Sequence, residues 1–481
     1  MCFTKMIQYT VFKIINFVNI PFRLIYWQPV EGLQMRIDIA TKRVLEFVNI
    51  NRNVPVPPAP HFSHSDTDHE MPAANSQPHN STFEVEGFHV KWKNWNFQYS
   101  MDPLHGLQLY HIRHIADCEE RFLIYNIKIS EMFVPYGASG YTWRWREVFD
   151  TGVYGLGKNA SPIMLGIDAP PYAKVLPCTK YNDLTGEVSE LENCIALYER
   201  PVWPEYYHYD IGSDTHYARA GTELVIMSMC TVGNYVYMWE YVFKMDGTIM
   251  VMVMATGIVL NRAVINEKND PNCIEECLDY INEHSIGPVH QHFVNYRIDF
   301  DIDGASNTLM QVDFVQDPRS LDNYDGGAFS ARRTIIPRET FLDSSPINSR
   351  FWNIINQQSR NVFNTPRGYS IRPDSLAFTF AMDTLSKAEF VKHPIWVTLH
   401  NDDEQGAAAD FPRSRKKNQG LPDYIKDGAS VRNADLVFWY SLGFSHLPRP
   451  EEFPIMDTHK ASLHVSPTNF HSANPLITTR C

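Results

Sequence analysis

The residues best suited to chemistry are two histidines, His290 and His292, in the sequence GPVHQHFVNYRIDFDID. The apolar and aromatic residues that follow them predict a β-strand. Residues two apart on a strand point to the same face, so both imidazoles can reach one metal ion. A third imidazole, His446, follows another apolar run, LVFWYSLGF. Three imidazoles suit copper, zinc or iron, whereas an isolated pair is more often part of a solvated strand face.

Acidic residues follow on the same predicted strand. Asp299, Asp301 and Asp303 occur in the sequence DFDIDG, which superficially matches the start of an EF-hand calcium loop. The twelfth position of that loop is Met310 instead of glutamate, and no flanking helices are evident, so an EF-hand is excluded. Strand alternation places the three carboxylates on one face. Both a hard-cation site and a solvated strand face remain open.

Two cysteines, Cys178 and Cys194, flank a polar segment, TKYNDLTGEVSELEN. The segment is compatible with a hairpin that a disulfide closes, if the compartment is oxidising. Eight cysteines in 481 residues are too few for a disulfide scaffold that replaces a hydrophobic core.

Short runs of aromatic and β-branched residues, separated by turn residues, fill most of the chain. Examples are FHVKWKNWNFQYS, FLIYNIKISEMFV and TIMVMVMATGIVL. Their density predicts an all-β protein, a large β-sandwich over residues 83–481. Within it, residues 345–361 (SPINSRFWNIINQQSRN) are the best helical or irregular candidate, and residues 406–422 (GAAADFPRSRKKNQGLP) are predicted to form an exposed loop.

The N-terminal part of the chain has a different composition. Residues 30–50 alternate in a way that predicts two strands joined by a turn at Thr41 and Lys42, within a small unit over residues 1–50. Residues 51–82 are rich in Pro, His and Ser and are predicted to form a linker.

Targeting signals and charge restrict the partners. The apolar start of the chain is broken by Lys5 and Lys13, so neither a clear signal peptide nor a membrane span is predicted, and the compartment stays open. The 42 basic and 55 acidic side chains give a net charge of −13, which argues against a nucleic acid partner and favours small cations.

One further segment, TVGNYVY at residues 231–237, resembles the cofactor motif of copper-containing amine oxidases of the fungal kind. In that family an Asn-Tyr-acidic-Tyr core supplies the tyrosine that becomes topaquinone. Three other segments resemble family motifs in the family's order. They are VPYGASGYTWRWREVFDTGVYGLG, GPVHQHFVNYRIDFDIDG and NADLVFWYSLGFSHLPRPEEFPIM, and the resemblance covers roughly residues 83–475.

The resemblance implies a role for each matching residue. For the reaction it implies Tyr235 as the topaquinone precursor, Asp150 as general base, Tyr136 as hydrogen-bond partner of the quinone oxygen, Asn234 as a residue that orients the ring, and His290, His292 and His446 as copper(II) ligands. For a second divalent cation, calcium or another, it implies Asp299, Asp301, Asp435 and the carbonyls of Phe300 and Leu436. It also implies Cys178 as the displaced disulfide partner of Cys194.

The implied activity is oxidative deamination of a small primary amine by dioxygen, through a Schiff base with the quinone, in a homodimer. Family members carry two small α/β domains before the sandwich, and only residues 28–50 resemble the end of the second. The chain is therefore expected to lack most of those domains.

Three positions depart from the family pattern: Val236 replaces the acidic residue after the cofactor tyrosine, Ala138 an aspartate, and Val148 a gate-like aromatic residue. These departures keep two alternatives open. One is a catalytically impaired binding protein with the same sandwich. The other is a different three-histidine metalloenzyme in which Tyr235 stays unmodified.

Overall fold

The fold is that of a computed structural model. It describes residues 28–38, 41–50, 53–58, 81–138, 143, 147–182, 185–264, 280–320, 323, 325–375, 377–380, 388–410, 412 and 419–477.

Two large antiparallel sheets dominate the described residues, with strands numbered along the chain. The first sheet has the order β19 (Phe329–Ile335), β18 (Asn307–Gln316), β21 (Phe351–Arg360), β22 (Pro366–Pro373), β26 (Met456–Thr468), β13 (Ile249–Gly257), β12 (Tyr235–Phe243), β11 (Thr215–Val232), β10 (Val188–Asp210) and β9 (Lys174–Tyr181), with β24 (Arg432–Ala434) beside β18. The second has the order β20 (Thr340–Leu342), β23 (Ile395–Leu399), β25 (Leu436–His446), β17 (His290–Phe300), β7 (Glu119–Pro135), β6 (Gly106–Ala116), β5 (Trp95–Asp102), β4 (His89–Trp92) and β3 (Glu84–Glu86), with β8 (Glu147–Phe149) beside β7.

Smaller elements complete the described structure. They are the hairpin of β1 (Leu33–Asp38) and β2 (Arg43–Asn49), a sheet of β14 (Arg262–Ala263), β16 (Ser285–Ile286) and β15 (Tyr280–Asn282), the short helix α1 (Leu421–Tyr424), a π-helix (Asp150–Tyr154) and single 3-10 turns at Pro346–Asn348, Glu389–Val391 and Pro450–Glu452. No helix among the described ranges is long and apolar enough to cross a membrane.

The inner faces of the two sheets pack against each other and form the core. Phe97 on β5 stacks on Phe243 of β12, with 4.2 Å between ring centroids. Trp352 on β21 lies 6.5 Å from Phe438 on β25, again across the two sheets. All four side chains are fully buried. The predicted all-β sandwich is therefore confirmed.

The first strands of the chain form the predicted hairpin, since β1 and β2 pair in antiparallel fashion around a turn that contains Lys42. Most of the predicted linker, and residues 1–27, lie outside the described residues. The division of the chain into a unit, a linker and a sandwich therefore stays a prediction.

Two predictions for local structure were wrong in part: residues 346–348 of the first segment form a 3-10 turn, but the rest of that segment differs. Residues 351–360 form β21 instead of a helix, because Trp352 and Ile354 enter the core while Asn353 bonds to Ser370 on the opposite face. Burial on both faces hides the polar alternation that would have indicated a strand. At the start of the predicted exposed loop, Ala407 and Ala408 are buried against the second sheet, whereas residues 411 and 413–418 lie outside the described residues.

A disulfide joins Cys178 on β9 to Cys194 on β10. It lies beside the place where the pairing of these two strands shifts register, between Leu191 and Ile195. The bond therefore crosses the irregular part of the hairpin, and the predicted pairing of Cys178 with Cys194 is confirmed.

Candidate metal and cofactor site

Two neighbouring strands of the second sheet carry the three histidines. In the antiparallel pair of β17 and β25, His290 lies directly opposite His446. His292 follows two residues after His290 and points to the same face, as its strand position predicts. All three imidazoles are about 1% exposed, and one nitrogen atom of each lies within 4.8 Å of the others. The structure thus brings together the three predicted ligands.

Each imidazole has one nitrogen atom held by a neighbouring group. Nδ1 of His290 lies 2.9 Å from the carbonyl oxygen of Pro288, and Nδ1 of His292 lies 3.0 Å from the hydroxyl of Tyr237. Nε2 of His292 is buried with no hydrogen-bond partner among the described residues. Metal-binding histidines have this arrangement, with an outer partner that orients the ring and an inner nitrogen left for the ion.

The third imidazole is held by a carboxylate. Nε2 of His446 lies 2.9 Å from Oε2 of Glu452, and the other oxygen of Glu452 lies 2.7 Å from Nε2 of His459. Burial would raise the pKa of Glu452, but these two hydrogen bonds hold it below its ordinary value. Glu452 therefore stays ionised and leaves Nδ1 of His446 facing the centre.

The electrostatics keep the ligand nitrogens unprotonated. Burial, reinforced by His446, lowers the pKa of His290 to about 3, and burial with His290 lowers the pKa of His292 far below its ordinary value. Neutral imidazoles offer lone pairs to a metal. The orphaned nitrogen of His292 and the neutral rings together fit copper, which favours imidazole ligands.

Tyr235 begins β12 in the opposite sheet and points at this centre. Its hydroxyl lies 2.7 Å from Nε2 of His290 and 3.2 Å from Nδ1 of His446. Burial, followed by Tyr136 and Glu452, raises its pKa well above the ordinary value, so the phenol keeps its proton. Tyr136 itself stacks on His290 with 4.7 Å between ring centroids. The predicted precursor tyrosine therefore lies against two of the three predicted ligands.

Asp150 lies at the start of the π-helix that follows β8, and it is 3% exposed. Burial is the main cause that raises the pKa values of Tyr237 and Cys230, and the negative charge of Asp150 is the second. The predicted base is therefore buried, and it is close enough to Tyr237 for its charge to affect the pKa of that side chain.

Asn234 occupies the turn between β11 and β12. Its Nδ2 donates to the carbonyl of Ile258 at 2.6 Å, and its own carbonyl accepts from the Ile258 N–H at 2.8 Å. These contacts fix the backbone from which Tyr235 projects. An effect on the ring through this backbone is consistent with the predicted role, which stays a prediction.

Glu131 lies beside the centre, and no sequence motif predicted it. It lies on β7, and its Oε1 accepts hydrogen bonds from the backbone N–H groups of Met132, Thr151 and Gly152 at 2.9, 3.0 and 3.1 Å. Burial raises its pKa to about 8, despite these three donors, and the charge of Asp150 adds to the increase. A lone acid within the apolar run ISEMFVP was the available signal.

A second cluster lies at the other ends of the same strands. The ligand atoms of Asp299, Asp435 and His400 lie within 4.8 Å of one another, and Phe300 lies opposite Leu436 in the strand register.

Asp301 lies just beyond the end of β17, and the charges of Asp435 and Asp299 affect its pKa. Burial, then Asp435 and Asp299, raises its pKa to about 6. Its Oδ1 is buried with no hydrogen-bond partner in the described part of the chain. An orphaned oxygen among mutually repelling carboxylates fits a divalent cation.

The placement of all three aspartates on one strand face was wrong. Strand β17 ends at Phe300, and Asp303 adopts a positive φ of 50° in the following turn. Its Oδ2 accepts from Nη1 of Arg121 at 2.8 Å, away from the cluster. The chain reverses there, so the two-residue period no longer applies.

A buried tyrosine against three neutral imidazoles, in a large antiparallel sandwich, defines the class of copper enzymes that the motifs indicated. The model of the family described as "Copper amine oxidase, enzyme domain" matches residues 84–480. The chain belongs to the copper amine oxidase family. Copper and topaquinone are the cofactors of this family, and the three histidines and Tyr235 fit them.

Similar proteins include bacterial and fungal oxidases. The chain is 31% identical over 466 residues to histamine oxidase of Arthrobacter globiformis, covering 93% of this chain and 66% of the relative. It is also 31% identical over 429 residues to copper amine oxidase 1 of Schizosaccharomyces pombe, covering 84% of this chain and 58% of the relative. The chain thus spans between 58% and 66% of the length of these two relatives.

Among solved structures, a copper-containing benzylamine oxidase from Hansenula polymorpha is similar with a TM-score of 0.83 and 26% identity, over 94% of this chain and 72% of that one. An Aspergillus nidulans amine oxidase has a TM-score of 0.79 at 22% identity, over 94% and 65% of the two chains, and it supports the fold alone.

Proposed function

We propose that the protein oxidises a primary amine with dioxygen and water, and releases an aldehyde, ammonia and hydrogen peroxide. The observation that carries the proposal is the buried hydroxyl of Tyr235 in contact with His290 and His446. No ordinary side chain is an electrophile that condenses with an amine, so a carbonyl cofactor is needed. A tyrosine held at a copper site is a suitable precursor.

The quinone, when present, supplies a carbonyl for the amine and accepts two electrons from it, while copper supports its formation and reoxidation. Each protein group has a narrower task. The Asp150 carboxylate accepts the proton from the carbon next to the substrate nitrogen. Tyr136 would donate a hydrogen bond to an oxygen of the bound cofactor, Asn234 fixes the backbone that carries residue 235, and the buried surroundings exclude water.

The net charge of −13 favours a cationic substrate, such as a protonated primary amine. The names of relatives give the first panel to test: histamine, methylamine and benzylamine.

We also propose that the protein is a homodimer. Strands β10 and β11 form a long hairpin, and in the part of the chain that the structure describes its outer half pairs with no other strand. Trp203, Tyr207, Ile211 and Tyr217 on this part are 76%, 58%, 85% and 56% exposed. Such a concentration of exposed aromatic and aliphatic side chains is typical of a protein interface.

The second cluster is proposed as a site for a divalent cation, calcium or another. Its ligands would be Asp299, Asp301, Asp435 and the carbonyl groups of Phe300 and Leu436. The orphaned Oδ1 of Asp301 supports this proposal. The cluster is assigned a structural role because it lies at the opposite end of β17 from the histidines, a span of roughly 23–33 Å at ~3.3 Å per residue.

The test is to purify the protein with copper and oxygen, treat it with phenylhydrazine, and identify the labelled peptide by mass spectrometry. We expect the label on Tyr235 and peroxide release with at least one amine of the panel. Unmodified Tyr235 in copper-replete protein would contradict the proposal. If zinc or iron were bound instead, a different three-histidine enzyme would be indicated, and a quinone without turnover would indicate an impaired binding protein.

A further inference from the structure

Next to the three predicted copper ligands lies a further histidine, His459, which no step of the proposed reaction uses. It lies on β26 of the first sheet, where it pairs with Ala255 of β13, and β13 in turn pairs with β12, which begins at Tyr235. The ring centroid of His459 lies 4.5 Å from that of His446, although His446 belongs to the second sheet. His459 therefore brings the sheet that carries Tyr235 into contact with a predicted ligand of the other sheet.

Glu452 connects the two imidazoles. Its Oε2 accepts from Nε2 of His446 at 2.9 Å and from the backbone N–H of Arg449 at 3.0 Å. Its Oε1 accepts from Nε2 of His459 at 2.7 Å, and among the described residues His459 is the one hydrogen-bond donor to this oxygen, since Nε of Arg449 is 3.6 Å away. The side chain of Glu452 is fully buried. Without His459, one oxygen of a buried carboxylate would lack a donor, and the carboxylate could turn away from His446 to find one.

Phe444 adds an aromatic contact. Its ring is stacked on His292 with 4.8 Å between centroids, and the ring of His459 is nearly parallel to it, at 6.2 Å and an angle of 12°. His459 thus acts on its neighbours in two separable ways, through a hydrogen bond and through the packing of a flat ring.

We propose that His459 is a positioning residue that holds His446 in the orientation a copper ion requires, acting through Glu452. Nδ1 of His446 faces the centre while its Nε2 donates to Glu452, and His459 keeps that carboxylate in place. Loss of a group that orients a metal-binding histidine typically weakens the metal by about 10- to 100-fold. The inference rests on the proposed function, because it concerns the copper site beside Tyr235.

The main test variant is His459→Phe, which removes the donor and keeps a flat ring beside Phe444. We expect it to lower copper affinity by about tenfold, the lower end of that range, because His459 acts through another residue. Chelator competition measures the affinity, and the electron paramagnetic resonance spectrum of bound Cu(II) should change with the ligand geometry. His459→Gln, whose amide N–H can donate to Oε1 of Glu452, should keep the wild-type affinity and spectrum.

His464→Phe is the matched control. His464 lies on the same strand, its side chain is 27% exposed like that of His459, and its Nε2 also lies 2.7 Å from a carboxylate oxygen, that of Asp374. The carboxylate of Asp374 is exposed, so this variant should leave copper affinity and the spectrum unchanged. The Tm of each metal-free protein shows whether the variant is folded.

Wild-type affinity and spectrum in His459→Phe would overturn the inference, while phenylhydrazine labelling of Tyr235 would leave the proposed function standing. Equal losses in His459→Phe and His459→Gln would also refute it, since the hydrogen bond would not be the cause. A second copper ion per chain, lost in both variants, would show a metal held by His446, Glu452 and His459 and would replace the inference. A wild-type protein that binds no copper would reject both the inference and the proposed function.

Discussion

The hydroxyl group of Tyr235 lies 2.7 Å from Nε2 of His290, the nitrogen atom that faces the other two histidines. Because Nδ1 of His290 bonds to the carbonyl of Pro288, the tyrosine is the donor in this contact. The oxygen of the proposed precursor therefore contacts the nitrogen atom that is proposed to bind the metal. Tyrosine oxidation at a copper ion needs this proximity.

Replacing Tyr235 by phenylalanine should abolish quinone formation and lower amine oxidation at least about a thousandfold, since no other electrophile is available. Copper binding should persist, because the three imidazoles remain. Phenylhydrazine absorbance and copper content per chain measure the two effects. Tyr241→Phe, which removes another buried hydroxyl from β12, is the control and should keep both. Labelling of the Tyr235→Phe protein would refute the assignment.

Asp150→Asn should lower kcat/KM by about 10²- to 10⁴-fold, the usual contribution of a general base. Phenylhydrazine labelling should stay near the wild-type level, because the precursor and the copper ligands are untouched. Substrate deuterated at the carbon next to nitrogen should react with a larger isotope effect than in the wild type. Asp423→Asn, on the exposed face of α1, is the control. An unchanged rate with full labelling would rule out Asp150 as the base.

Glu131 should make stability depend on pH in a defined direction. Its folded pKa of about 8 lies above its ordinary value, so the unfolded chain releases this proton first. The contribution of protonated Glu131 to the free energy of unfolding is present in full below the pKa of the unfolded chain. It is lost as the pH rises through about 8.

The measurement is the difference in Tm between wild type and Glu131→Gln at several pH values. Glutamine cannot ionise, so the wild type should lose more Tm than the variant between pH 5 and pH 8. Glu190→Gln, at an exposed position, should follow the wild type. Parallel curves for wild type and Glu131→Gln would show that Glu131 is ionised in the folded protein.

Glu452→Gln should weaken copper binding by about 10- to 100-fold, as is usual when the outer partner of a metal-binding histidine is lost. The amide can no longer accept from both His446 and His459. Chelator competition measures the affinity. Glu451→Gln changes the exposed neighbour in the same 3-10 turn and should leave copper affinity unchanged. Equal affinities in both variants would contradict a positioning role for Glu452.

Much of the site could be predicted because it depends on residue types and on spacings of a few residues along the chain. The alternation of β17 placed His290 and His292 on one face without any knowledge of the fold. The same rule failed at Asp303, where the strand had already ended. It also failed at Trp352, where burial of both faces removed the polar alternation.

By itself, the sequence determined the all-β class and the residue types that can bind metal or become a cofactor, because both depend on composition and on spacings of a few residues. Only the tertiary structure decided which distant groups meet. His446 lies opposite His290, Glu131 accepts from the backbone after Asp150, and His400 contacts Asp299. The register of the strands determines these contacts. That register depends on the packing of the whole sandwich, which cannot be read from local spacing.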